Sequence, residues 1–198
     1  AGERGNDNEA QIKHIQDFFL DERNRGKYPC YVIAPQCPKM KYWASYDLKT
    51  NEQVLSEKPT QPLQMVIELI DKISKDFPVD PSRIYITGLS MGGFGTWDLI
   101  ARYPNKFAAA VPICGGGDVK TATAIKHIPI WAFHGAKDNV VSPVYSRKII
   151  NALREQGASP GYSEYPDVDH NSWIHAYKEP HLIHWLFRQK LPNTTPTK

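Results

Sequence analysis

The 198-residue chain has little cysteine, with only three residues, and no long hydrophobic run. Three cysteines cannot all pair within one chain. Cys30 and Cys37 are close enough in sequence for one bridge, but the compartment is not legible. A disulfide scaffold is therefore excluded as the source of stability. No apolar stretch approaches the roughly 18 residues of a membrane-spanning helix. No run of clustered Lys and Arg occurs, and the net charge is only +3, which argues against nucleic acid as a partner. Metal-ligand spacings such as H-E-x-x-H or paired Cys/His sets are lacking as well. Nothing suggests an internal repeat or a low-complexity segment. The sequence opens Ala1-Gly2-Glu3 with no Met, so its beginning is expected to be missing and no cellular address is readable.

The rest of the composition is ordinary. Hydrophobic residues make up 41% and charged residues 23%, as in a globular domain. Sixteen prolines point to many short elements and firm turns rather than a helix bundle. Residues 1–191 are expected to form one domain, and 192–198 a polar tail.

The apolar pattern alternates between two periods. Ile12, Ile15, Phe18 and Phe19 predict an amphipathic helix over 8–23. The run CYVIA (30–34), stopped by Pro35, reads as a buried strand. Residues 36–60 read as a long loop carrying Tyr42, Trp43 and Tyr46. Leu63, Val66, Leu69, Ile70 and Ile73 predict a helix over 61–77, with Thr60 as N-cap and Pro62 in its first turn. Strands are predicted at 83–87, 107–114, 128–134 and 163–165, and helices at 91–103, 143–156 and 180–189. This alternation argues for a mostly parallel sheet with helices on both faces.

Gly88-Leu89-Ser90-Met91-Gly92 is a G-x-S-x-G. The pentapeptide is short, but it follows the strand RIYIT and precedes a helix, the setting of a nucleophile elbow. The glycines allow a tight turn, and the Met91 N–H at the helix N-terminus can face a developing oxyanion. The blander reading is a glycine-rich connection with a solvated serine. A serine hydroxyl needs a base to accept its proton. Of the later histidines, His170 lies in the polar loop Asp169-His170-Asn171-Ser172-Trp173, between the last strand and the last helix, and is the expected base. His134 ends a strand and reads as packing. His127, His175, His181 and His184 read as surface or packing residues. Asp138, after the strand WAFHG, is the expected acid that orients the imidazole, with Asp118 its main rival. A free imidazole titrates near about 6.5, so a His base makes the rate fall as pH drops below that range.

GLSMGG after a strand, HGAKDNVV and DHNSW together resemble the α/β-hydrolase superfamily. More closely, they resemble compact serine esterases of the phospholipase/carboxylesterase, dienelactone-hydrolase-like or prolyl-oligopeptidase-related "predicted peptidase" types. Pro35-Gln36-Cys37-Pro38 and Val79-Asp80-Pro81-Ser82-Arg83 add to the likeness, which runs over about 1–191. The resemblance implies an α/β, three-layer α/β-hydrolase fold with a mostly parallel central sheet, N-terminally truncated. In such esterases a His-Gly precedes an oxyanion loop of the form H-G-x-G-x-x-G. Ala1-Gly2-Glu3-Arg4-Gly5 matches that loop from its third position, so the second oxyanion donor falls at Ala1.

The implied chemistry is carboxylic-ester hydrolysis by Ser90, His170 and Asp138, with Met91 and Ala1 as the oxyanion hole and neither metal nor other cofactor. The implied substrate is a small-molecule or polysaccharide-linked ester, of acetyl or feruloyl type, with Trp43 and Trp173 as candidate substrate-binding residues. Dienelactone hydrolases carry Cys at the elbow, whereas this chain has Ser90. The alternatives are a phospholipase or peptidase of the same fold, or a catalytically weak binding module should the oxyanion loop be absent.

Overall fold

The computed structural model describes residues 2–47 and 52–192. Ala1 and almost all of the expected 192–198 tail lie outside the described residues. The first expected helix is broken into pieces. A 3-10 turn (Ala10–Ile12) and a π-helical turn (Gln16–Leu20) precede a short helix, α1 (Glu22–Lys27). Asp21 makes the break: its backbone is extended, and its carboxylate caps the Arg23 and Asn24 N–H groups.

The run 30–34 is not a strand. It is largely exposed, and it has no ladder partner among the described residues. It borders an apolar cavity of about 850 Å³ that separates it from the sheet. Apolar side chains alone do not make a strand when no neighbouring backbone is in hydrogen-bonding reach. Within the expected 36–60 loop, β1 (Tyr46–Asp47) and β2 (Glu52–Gln53) form a small antiparallel pair.

Helix α2 (Gln61–Asp76) follows the reading closely. Thr60 Oγ1 accepts the Leu63 N–H, and Pro62 lies in the first turn. A 3-10 turn at Pro81–Arg83, capped by Asp80, delays the next strand to β3 (Tyr85–Leu89). Then come α3 (Met91–Arg102), β4 (Ala109–Ile113), α4 (Ala122–Ile125), β5 (Trp131–Gly135) and α5 (Val144–Glu155). Gly157, at φ 79°, closes α5. The chain ends with β6 (Gly161–Tyr165), α6 (Trp173–Ala176) and α7 (Leu182–Arg188). The sequence reading missed α4 and α6, each four residues long and too short to show a period.

The four strands β3-β4-β5-β6 pair in that order, all parallel. Side chains alternate between two cores, as strand geometry requires. Ala110 and Ala132 face a cluster with Leu63, Ile67, Trp97, Ile100, Ile149 and Leu153 of α2, α3 and α5. Ala109, Val111, Ile113 and Phe133 face a second cluster with Phe18, Tyr177, Leu182 and Leu186. The fold is thus a three-layer α/β sandwich, and β4, covered on both faces, is buried throughout. No described helix is long and apolar enough to cross a membrane.

Candidate active site

The site forms at the carboxyl ends of the strands. Between β3 and α3, Ser90 adopts φ 53° and ψ −119°, a region sparsely populated by residues other than glycine. Tight packing holds it there. The Ser90 N–H donates to the Ile113 carbonyl at 2.9 Å and also approaches Cys114 Sγ at 3.3 Å. A Cβ on Gly93 would meet the Ile113 carbonyl oxygen at 2.4 Å, so only glycine lets α3 lie this close to β4. Cys114 is buried under the elbow at φ 39°, and burial pushes its thiol up to about 12.

His170 comes from the loop after β6. Its Nε2 lies 2.8 Å from Ser90 Oγ, and its Nδ1 lies 2.8 Å from Asp138 Oδ2. Because Nδ1 faces a carboxylate, it carries the hydrogen. Nε2 is then bare and accepts the Ser90 hydroxyl. Asp138 sits in the turn after β5 with a fully buried side chain. Its Oδ1 accepts the Val140 and Val141 N–H groups at 2.9 and 2.8 Å.

Two backbone bonds stitch these loops together: Ala136 N–H to Tyr165 O, and Lys137 N–H to Val168 O. The Val168 and Asp169 carbonyls crowd Gly135, where a Cβ would lie within 2.3 Å of either oxygen. That crossing brings the loops after β5 and β6 together, and with them Asp138 and His170.

Met91 occupies the first position of α3, where its N–H has no intrahelical acceptor. Ala1 lies outside the described residues. Trp173 sets its ring at 89° to that of His170, with centroids 5.4 Å apart. On another side it meets the His14 ring at 5.3 Å, and it packs against the second apolar cluster. Trp43, by contrast, is 7% exposed and joins the core, with its side chain packed on Gly95 of α3. Asp118 caps the 3-10 turn at Val119–Thr121 and accepts the Leu55 N–H, and no bond joins it to His170. The large cavity beside β3 is lined by Val66, Ile70, Ile86 and Leu89 but by none of Ser90, Asp138 and His170.

Ligand atoms of Cys114, Asp138 and His170 converge within 4.8 Å. The set is poor for a metal. Burial pushes the thiol up, which disfavours the thiolate a metal needs, and the Asp138 oxygen facing His170 already takes the Nδ1 hydrogen. His134, which the sequence reading assigned to packing, is buried and also contacts Asp138.

A model described as the dienelactone hydrolase family matches residues 32–179. Among solved structures, a thermostable esterase is similar with a TM-score of 0.86 and 42% identity, over 96% of this chain and 52% of its own. Arabidopsis thaliana SOBER1, at 18% identity and a TM-score of 0.66 over 88% of this chain and 91% of its own, shares the fold. A curated relative is the bifunctional acetylxylan esterase/xylanase XynS20E of Neocallimastix patriciarum. It is 30% identical over 105 residues, covering 53% of this chain and 16% of that protein. The chain therefore spans a small part of that relative and about half of the thermostable esterase. The family match takes in the elbow, Asp138 and His170 alike, and by it the chain belongs to the dienelactone hydrolase family.

Proposed function

We propose that this chain is the catalytic core of a serine carboxylesterase. The unbroken relay from Ser90 Oγ through His170 to Asp138, both links at 2.8 Å, is the observation that carries the reading. His170 Nε2 takes the Ser90 proton as Oγ bonds to the ester carbonyl carbon. The carbonyl π pair moves onto oxygen, where the Met91 N–H and the positive end of α3 stabilise it. Collapse of this intermediate expels the alcohol, which takes the proton from His170. Water then repeats the sequence on the acyl-enzyme, with His170 as base again. Asp138 keeps the imidazole in the Nδ1–H tautomer and stabilises the imidazolium. The second oxyanion donor is assigned to Ala1, at the head of the Gly2–Gly5 segment.

The substrate proposed is an ester of a small acyl or aryl acid, acetyl- or feruloyl-like. The similarity to a protein described as an acetylxylan esterase supports this class. So does Ser90 at the position where dienelactone hydrolysis uses a thiol.

Turnover of p-nitrophenyl acetate, butyrate and octanoate and of methyl ferulate tests the reading, together with labelling by a fluorophosphonate. Ser90→Ala is expected to abolish both labelling and turnover. Equal turnover by the parent chain and Ser90→Ala, or labelling at another residue, refutes it.

A further inference from the structure

His134, next to last in β5, is fully buried and lies outside the relay, yet it touches it. Its Nε2 lies 2.9 Å from the Val141 carbonyl oxygen and 3.3 Å from Asp138 Oδ2. Both neighbours are acceptors, so Nε2 carries the hydrogen, which bonds to the Val141 carbonyl and lies beside Asp138 Oδ2. Its Nδ1 lies 2.8 Å from Ser146 Oγ in α5, and that oxygen lies 2.8 Å from the Gly115 carbonyl. The one hydrogen of the Ser146 hydroxyl is therefore shared between two acceptors, the bare Nδ1 of the ring and the Gly115 carbonyl of the β4–α4 connection. Burial lowers the basicity of His134 and favours the neutral ring. Asp138 Oδ2 consequently accepts the His170 Nδ1–H at 2.8 Å and has the His134 Nε2–H beside it, with the nitrogen at 3.3 Å.

We infer that His134 is a positioning residue for the catalytic acid: its Nε2–H bonds the carbonyl of Val141, whose own N–H holds Asp138 Oδ1, and lies against Oδ2, while Ser146 fixes the ring that does so. This rests on the esterase reading and deepens it. An N–H placed beside this oxygen offsets part of the negative charge that faces His170. Removing the His134 donor leaves the carboxylate less restrained and returns its charge to His170. Acylation then slows, and the acid limb of the pH–rate profile moves to higher pH. Other charged or titratable groups near His134 do not oppose that sign. Glu164, its register partner on β6, is held by Arg147 and Tyr162, and the Cys114 thiol stays neutral.

The test is the rate of Ser90 labelling by a fluorophosphonate between pH 5 and 9, as rough bounds set by imidazole titration. Parent, His134→Leu, His134→Gln and Ser146→Ala are compared, with thermal melts alongside. His134→Leu is expected to label about ten-fold more slowly, equal to about 1.4 kcal/mol of barrier, with its acid midpoint raised. His134→Gln, whose amide N–H can replace Nε2–H, is expected to recover most of the rate and return the midpoint. Ser146→Ala is expected to move the midpoint the same way by less. Should His134→Leu fail to fold, the Gln and Ala variants decide.

Equal slowing in Leu and Gln with an unmoved midpoint marks a packing role and overturns the inference. So does an unmoved midpoint in Ser146→Ala. Normal labelling of the parent at Ser90 with no effect in His134→Leu sinks this inference alone. A parent that is not labelled at Ser90 sinks the esterase reading as well.

Discussion

Replacing Gly88 with alanine tests how tightly the elbow is built. A Cβ there would lie 2.2 Å from the Gly92 carbonyl oxygen, 2.5 Å from the Gly92 carbonyl carbon and 2.8 Å from Thr96 Oγ1. Real Cβ contacts essentially never fall under 3.0 Å. Two of the three obstacles are backbone. The third, Thr96, is anchored because its hydroxyl donates to that same Gly92 oxygen at 2.9 Å. No rotamer relieves the clash, so β3 and α3 must part by about 1 Å, at an overpacking cost of roughly 1–3 kcal/mol. In a domain of this size that lowers Tm by about 2–12 °C. The effect on activity is larger. Ser90 rides on the N-terminus of α3, 2.8 Å from His170 Nε2. A shift of about 1 Å takes this pair out of hydrogen-bonding range and costs on the order of 100-fold in rate. The assay pairs p-nitrophenyl acetate kcat/KM with a thermal melt. The expected variant is folded at 25 °C (a rough working temperature) and nearly inactive. Retention of more than about a third of the parent kcat/KM refutes the reasoning.

Two further outcomes follow from buried groups. Asp98 on α3 is 1% exposed and pairs with Arg102 at 2.5 Å; burial pushes its carboxyl up while Arg102 pulls it back. Arg102→Leu strands that carboxylate and is expected to cost about 3–5 kcal/mol by denaturant unfolding at pH 8. Because the folded carboxyl titrates above its unfolded value, the native state binds the proton first. The deficit therefore shrinks as pH falls from the raised value toward about 3.9, and a pH-independent deficit contradicts this account. Among the thiols, Cys30 is exposed while Cys37 and Cys114 are buried. Ellman's reagent should titrate one thiol quickly in the native protein and three in guanidinium. Fast reaction of Cys114 refutes its burial under the elbow.

The parts of the fold that were legible in the sequence share a cause. The elbow could be read because Gly88, Ser90 and Gly92 stand between a β-branched run and an apolar helix, so local chemistry and tertiary position agree. Helix α2 could be read because its apolar stripe and its Thr60 cap coincide. At 8–23 the stripe is present, but the Asp21 side chain competes for backbone N–H groups and restarts the helix. At 30–34 the composition of a strand is present without a partner, and strand pairing is a property of two segments. The same limit applies to His134 and Ser146. Their geometry depends on β5, α5 and the Gly115 backbone meeting, which no local pattern encodes. Trp43 shows the converse. An aromatic in a long loop invites a binding role, yet Gly95 opens a place for it in the core.

The order of the strands has a consequence for motion. Ser90 follows β3 and His170 follows β6, the two outer strands of the four, whereas Asp138 follows β5, an inner one. Alternate peptide groups along each outer strand point away from the only neighbour that strand has among the described residues. Where no further strand pairs with them, such groups exchange hydrogen through small local openings, while those of β4 and β5 wait for larger ones. Among the described residues, Asp138 is thus carried by a strand paired on both sides, and Ser90 and His170 by strands paired on one.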